Sequence, residues 1–256
     1  MKSNIKQTLR SSLSSAFYYS SGLFGQRKSV GTRILCYHRV NDENRDYLSV
    51  PVASFREQMK FLAEEGYRTI NLSEAGHSKP NDKSIIITFD DGFQDNYEHA
   101  FPILLEYGFS ATIFCIAKQV GGPTYLTKQE IWEMRLDGFE FGSHALSHPH
   151  LPELSTEKKW WEIFGSKRFL EELLSFQCDW FCYPYGEYDW ETVQLVKRAG
   201  YRAACSNRPG ANKTLASHLL KRTEIGGFDS LYDFQKKIAG AYDLLHQGLH
   251  WARRRP

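Results

Sequence analysis

Residues 85–93 read IIITFDDGF, an apolar run that leads directly into two adjacent carboxylates and a glycine. Side chains alternate along a strand, so Asp90 and Asp91 would point to opposite faces unless the strand ends there. At a strand end both can approach one site, where their repulsion would keep one protonated unless a cation lay between them. A metal ion removes this conflict, because one carboxylate binds the ion and the other is free to accept a proton. In isolation, however, DDG is also typical of a simple turn.

The rest of the chain alternates strand-like and helix-like segments, which indicates βα units with parallel strands. The strand-like segments are 34–40, 85–89, 111–117, 139–144, 180–185, 202–206 and 218–225. The helix-like segments are 55–66, 101–108, 127–137, 156–177, 189–199 and 230–246. Such units either close into a barrel or form an open sheet, and in both cases the chemistry is expected at the carboxyl ends of the strands.

A pair of histidines follows another predicted strand. In GSHALSHPHL (142–151), His144 and His148 have the i, i+4 spacing that would place both imidazoles on one side of a helical turn. Two histidines and one carboxylate are a common three-ligand metal site that leaves room for water or substrate. The alternative is a pair of surface histidines next to a third, His150.

Two further strand ends carry candidate groups. In FCYPYG (181–186), Pro184 and Gly186 would fix the backbone N–H of Tyr185, which could then bind a developing oxyanion. The alternative is a strand followed by a proline turn. His38, at the end of the strand ILCYHRV, is a candidate general acid or else a structural histidine.

These motifs together resemble those of the polysaccharide deacetylase family of metal-dependent carbohydrate esterases. TFDDG (88–92) matches the first family motif in every letter, SHALSH with Leu151 resembles the second, and FCYPYG resembles the third. The segments ILCYHRV, FREQMKFLAEEGYRTINL (55–72) and LKRTEI (220–225) resemble flanking segments of the branch with an N-terminal Tyr-His-x-Val strand. The resemblance extends over about residues 33–240.

This resemblance implies a fold, a cofactor and a reaction. The fold would be α/β, a distorted (β/α) barrel of about seven parallel strands in a single domain. The resemblance implies a divalent metal, usually zinc, and hydrolysis of the N-acetyl group of an acetamido sugar in an acetylated glycan. It also implies roles for individual residues: Asp91, His144 and His148 as metal ligands, Asp90 as general base, the N–H of Tyr185 as oxyanion donor, and His38 as general acid.

Three departures from the family pattern keep alternatives open. Ala145 stands where many members have Thr or Ser, and Cys182 stands where many have an arginine that orients the base. The Leu-x-His motif near the C-terminus is absent, and the corresponding region reads KRTEI. The alternatives are an inactive glycan-binding relative, or a related amide hydrolase, such as a deformylase acting on a lipid-linked sugar. An ordinary α/β domain without metal is the third.

Composition and charge bear on the setting. The 256 residues carry a net charge of +2, so nothing calls for a nucleic-acid partner. Five scattered cysteines favour reduced thiols and a cytoplasmic protein. We expect one domain over residues 31–250, preceded by a basic amphipathic arm over residues 1–30. Residues 1–28 predict peripheral contact with the inner face of a membrane, with a frayed arm, a covering helix or a transit peptide as alternatives. Oligomeric state is not predicted.

Overall fold

The computed structural model describes residues 31–74 and 83–243. The predicted arm, residues 1–30, lies outside this part of the chain, as do residues 244–250 of the predicted domain and the end of its closing helix. Membrane contact through residues 1–28 therefore stays a prediction. Within the described ranges, no helix has the length and apolar character needed to cross a bilayer.

A single curled sheet of parallel strands forms the centre of the fold. Its order is β10-β1-β5-β6-β7-β8-β9, with β4 beside β5, and every pair is parallel. The strands are β1 Arg33–Tyr37, β4 Arg68–Thr69, β5 Ser84–Phe89, β6 Thr112–Cys115, β7 Glu140–Ser143, β8 Trp180–Cys182, β9 Ala203–Cys205 and β10 Thr223–Glu224. The short strands β2 Arg39–Val40 and β3 Ser49–Val50 pair separately. This confirms the parallel α/β fold and the seven predicted strands. The first predicted strand, 34–40, is divided into β1 and β2, and β3 and β4 are additional strands of two residues each.

One irregular segment connects the two ends of the sheet. Leu220 bridges to Cys205 of β9 and exchanges backbone hydrogen bonds of 2.8 Å with Ala204 and Ser206. Three residues later the chain joins β1, where Thr223 pairs with Leu35 and Glu224 with Cys36. Residues 220–224 therefore close the barrel, and we call them the closing segment.

Helices cover the outside of the sheet, and most begin at the residues that the sequence marks. They are α1 Val52–Glu64, α2 Phe101–Glu106, α3 Lys128–Leu136, α4 Thr156–Leu174, α5 Trp190–Arg198 and α6 Leu231–Ile238, with a π-helix at Asn96–Ala100 before α2. Side chains that accept a backbone N–H cap four of them: Thr127, Ser155, Asp189 and Ser230. The last helix is shorter than the predicted 230–246, because Gly240 follows with a φ of 81°.

The sheet has a separate core on each face. One core packs between the sheet and the helices, and a smaller one fills the barrel, including Ile34, Ile86, Phe114, Trp180, Cys205 and Leu220. Because side chains alternate along strands, the barrel-facing positions of β5 and β8 continue to Asp90 and Cys182 at the carboxyl ends. The barrel core thus supports the polar groups above it.

The barrel interior is tight enough to be tested at Gly142 of β7. An added Cβ would lie 2.7 Å from the Phe114 ring and 2.8 Å from the Trp180 carbonyl oxygen. We expect Gly142→Ala to lower the free energy of unfolding by about 1–3 kcal/mol. Gly165→Ala is the control, since its Cβ would meet nothing closer than 3.6 Å in the middle of α4 and should add about 0.5–1 kcal/mol. Urea unfolding measures both. Equal stability of Gly142→Ala and the wild type would contradict this packing.

Candidate active site

A left-handed turn after β5 separates the two adjacent carboxylates. Asp91 has φ 72° and Gly92 φ 75°. Asp90 N–H donates to Tyr37 O at 2.9 Å, and Ile116 N–H donates to Asp91 O at 3.2 Å, so both neighbouring strands hold the turn. An added Cβ at Gly92 would lie 3.2 Å from the Cα of Cys115, which leaves little room for any other residue there. Both carboxylates are buried, as expected for a strand that ends at a shared site.

The two histidines follow β7 on a loop, so the predicted helical turn is wrong. Ala145 has φ 63° and His148 φ 62°, and these two left-handed residues bend the chain back so that the imidazoles meet. Glu162 of α4 anchors the loop, because it accepts hydrogen bonds from the N–H groups of Leu146 and Ser147 at 3.1 and 2.9 Å. Strained backbone of this kind is often found at functional sites.

Asp91, His144 and His148 lie together as the sequence predicted. The Nε2 atoms of the two histidines are 3.2 Å apart. Asp91 Oδ1 lies 3.7 Å from His144 Nε2 and 3.5 Å from His148 Nε2. Ligand atoms at zinc distances of about 2.0–2.1 Å in a tetrahedron would be about 3.3–3.4 Å apart. The three atoms therefore have the spacing of a three-ligand metal site.

The electrostatics of this group also suit a cation. His144 Nδ1 donates to the carbonyl of Cys182 at 2.8 Å, which leaves the Nε2 lone pair facing the other two residues. Burial lowers the pKa of His144 to about 3 and raises that of Asp91 to about 6. Neutral imidazoles next to a carboxylate that has lost its hydration are a donor set that a divalent cation would complete.

Asp90 lies next to this group and forms an ion pair with Arg222, a residue that the sequence interpretation missed. Arg222 Nη1 and Nη2 donate to Asp90 Oδ1 and Oδ2 at 2.6 and 2.7 Å. Burial would raise the pKa of Asp90, but the guanidinium outweighs burial and holds that pKa well below its usual range. Asp90 is therefore ionised and fixed in orientation.

Arg222 is completely buried, and neighbouring oxygens satisfy its remaining donors. Nε donates to Ser206 O at 3.2 Å, Nη1 to Thr88 Oγ1 at 3.2 Å, and Nη2 to Asn207 Oδ1 at 2.6 Å. Gly186 packs against Asn207, since an added Cβ there would lie 2.6 Å from the Asn207 Cβ. The arginine thus connects β5, β9 and the FCYPYG turn. Arg222 belongs to KRTEI (221–225), a segment that the sequence analysis treated as a flanking match and as the region without the Leu-x-His motif.

His38 lies on the other side of Asp90. Its Nε2 is 4.0 Å from Asp90 Oδ2, and its carbonyl accepts from Asn96 Nδ2 at 2.9 Å. Its Nδ1 is buried and has no hydrogen-bond partner within residues 31–74 and 83–243. The structure thus brings the predicted general acid to the same edge as the predicted base.

The FCYPYG turn presents Tyr185 at the rim. Tyr185 has φ 57°, and its half-exposed ring lies between the rings of His150, stacked at 4.0 Å, and His148, at 4.4 Å. His150 is outside the metal-type group, and its Nδ1 pairs with Glu187 at 2.8 Å. Of the two tyrosines in this turn, Tyr183 is fully buried and Tyr185 presents its ring at the surface.

Comparison with known proteins agrees with this arrangement. The polysaccharide deacetylase family profile matches residues 77–204, half of the chain. The chain belongs to the polysaccharide deacetylase family. A relative from Bacillus subtilis, YxkH, is 36% identical over 70% of this chain, which spans 65% of that protein's length. The peptidoglycan-N-acetylglucosamine deacetylase of Bacillus cereus is 32% identical over 60% of this chain and 74% of its own length.

A solved structure shows the same fold. The Streptococcus pyogenes deacetylase PplD, in complex with acetate, is 27% identical with a TM-score of 0.73, over 82% of this chain and 99% of that one. The predicted polysaccharide deacetylase family and distorted barrel are therefore confirmed.

Removal of one imidazole tests the metal-type group. We expect His144→Ala to lose bound divalent metal, because a carboxylate and one imidazole remain. His150→Ala is the control, since that ring lies outside the group and should leave metal content unchanged. Elemental analysis of both purified proteins after zinc loading and dialysis measures the effect. Full metal occupancy in His144→Ala would remove this residue from the ligand set.

Proposed function

We propose that this chain hydrolyses the N-acetyl groups of an acetylated amino-sugar glycan, with zinc held by Asp91, His144 and His148. The observation that carries the proposal is the convergence of these three residues beside Asp90, a carboxylate that Arg222 holds in one orientation. The name of the Bacillus cereus relative, a peptidoglycan-N-acetylglucosamine deacetylase, supports a polymer of N-acetylglucosamine as the substrate class.

In this proposal each residue has one role. A divalent cation bound by the three ligands would act as a Lewis acid and make water a better nucleophile near neutral pH. Asp90 accepts the proton of the attacking water. The backbone N–H of Tyr185 donates to the oxyanion that develops on the acetyl group. His38 donates a proton to the leaving amine, so that acetate and a free amino sugar result.

The departures from the family pattern weigh less than the sequence alone suggested. Cys182 removes an arginine from β8, yet Arg222 brings a guanidinium to the same carboxylate. His38 supplies a proton donor within 4.0 Å of Asp90 although the Leu-x-His motif is missing. Both observations favour an active enzyme over an inactive glycan-binding relative. A deformylase acting on a lipid-linked sugar would use the same residues, so a panel of N-acetyl and N-formyl sugars tests it.

Asp90→Asn tests the base. We expect turnover to fall by about 10²–10⁴-fold, the usual contribution of a general acid–base group, while metal content stays unchanged. Acetate release from chitooligosaccharides and peptidoglycan measures it. Asp243→Asn is a matched control, because Asp243 forms a similar bidentate pair with Arg33, at 2.9 Å, at the other end of β1. Wild-type turnover in Asp90→Asn would contradict the assigned role, and an inactive wild type would contradict the function.

His38→Gln tests the acid with two kinds of leaving group. Amide cleavage needs a proton on the departing nitrogen, whereas 4-nitrophenolate departs from an aryl acetate without one. We therefore expect His38→Gln to lose about 10²-fold or more on the acetamido sugar and little on 4-nitrophenyl acetate. Asp90→Asn should lose activity on both. Equal losses of His38→Gln on the two substrates would rule out proton donation to the amine.

A further inference from the structure

Cys182 occupies the space next to the Asp90–Arg222 ion pair. Its Sγ lies 3.1 Å from Arg222 Nη2 and 3.5 Å from Asp90 Oδ2, and the side chain is fully buried. A thiol is small and is only a weak hydrogen-bond donor. A longer side chain at this position would fill the volume that the guanidinium occupies.

The guanidinium that contacts Asp90 comes from a different part of the chain than the family pattern predicts. In the family pattern an arginine at the position of Cys182 would reach the base from β8. In this chain the guanidinium comes from the closing segment instead, between Leu220, which bridges to β9, and Thr223, which pairs with β1. Both routes end at the same carboxylate, and with Cys182 Sγ 3.1 Å from Arg222 Nη2, two guanidiniums would compete for the same space.

We propose that Arg222 and Cys182 are an exchangeable pair in which Arg222 is the positioning residue of Asp90. The inference rests on the proposed function of Asp90 as base. Without the guanidinium, the side-chain donors left to the Asp90 carboxylate among the described residues are the thiols of Cys36 and Cys182, at 3.5–3.6 Å, with His38 at 4.0 Å. Such weak partners do not hold a carboxylate in one rotamer. The Asp90 carboxylate would then no longer be oriented toward the attacking water.

Four variants separate this role from a general contribution to folding. Arg222→Lys keeps the charge but loses the bidentate fork, and we expect kcat to fall at least about tenfold with unchanged KM and metal content. Arg222→Ala should lose about 10²-fold or more. Cys182→Arg crowds two guanidiniums onto one carboxylate and should lower both Tm and kcat. In C182R/R222A the new arginine reaches Asp90 from β8, and kcat should recover at least about tenfold over Arg222→Ala.

Arg33→Lys is the matched control. Arg33 is also buried and forms a bidentate pair with Asp243, but it lies at the amino end of β1, away from Asp90. The Arg33→Lys substitution should lower Tm and leave kcat unchanged. A loss of kcat in Arg222→Lys of the same size as in Arg33→Lys would reduce Arg222 to a structural role and overturn the proposal.

The Tm values test the exchange without any turnover. If the pair is exchangeable, C182R/R222A melts at a higher temperature than either single variant. This result is expected even if the wild-type protein does not deacetylate any glycan of the panel. Tm values that simply add would overturn the exchange. An inactive wild type together with a coupled Tm would instead contradict the proposed function alone, so the two failures are distinguishable.

Discussion

Asp90 and Asp91 are adjacent buried carboxylates, and their repulsion is the constraint on which the arrangement at the carboxyl ends of the strands depends. The left-handed turn at Asp91 directs one toward the guanidinium of Arg222 and the other toward the imidazoles of His144 and His148. Arg222 balances the charge of Asp90, whereas the imidazoles beside Asp91 are neutral and would leave its charge for a bound cation to balance. This division explains why the pair can persist at the end of an apolar strand.

The partner of Asp90 depends in turn on how the barrel closes. Arg222 lies on the closing segment, and its donors also reach Ser206 and Asn207 just after β9. The hydrogen bonds of the closing segment to β9 and β1 therefore fix the position of the Asp90 carboxylate as well as completing the sheet. Parallel strands bring the other groups to the same edge, because their carboxyl ends lie at one end of a barrel. A substitution that disturbs the closing segment is therefore expected to move Asp90 as well.

Strand-end motifs were sufficient to predict which residues meet, but not how the backbone brings them together or what balances their charge. The i, i+4 spacing of the histidines is equally compatible with a helix and with the observed loop, and an alanine at φ 63° gives no signal in the sequence. Arg222 was missed because its partner is 132 residues away and the strand that follows it, β10, pairs over only two residues. A signal did exist: a buried Asp90 requires a cation, Cys182 cannot supply one, and KRTEI places an arginine two residues after an apolar barrel position.

The ion pair has two opposing effects on a base. It fixes Asp90 in one orientation and keeps it ionised, which favours proton transfer from a positioned donor. It also lowers the proton affinity of the carboxylate, which weakens a base. The second effect matters less when the donor is acidic, and a cation bound by Asp91 and the two histidines would lower the pKa of water to about 7. The arginine and the metal-type group are thus complementary: the first supplies a fixed, ionised acceptor, and the second compensates for its low affinity by making the proton easier to remove.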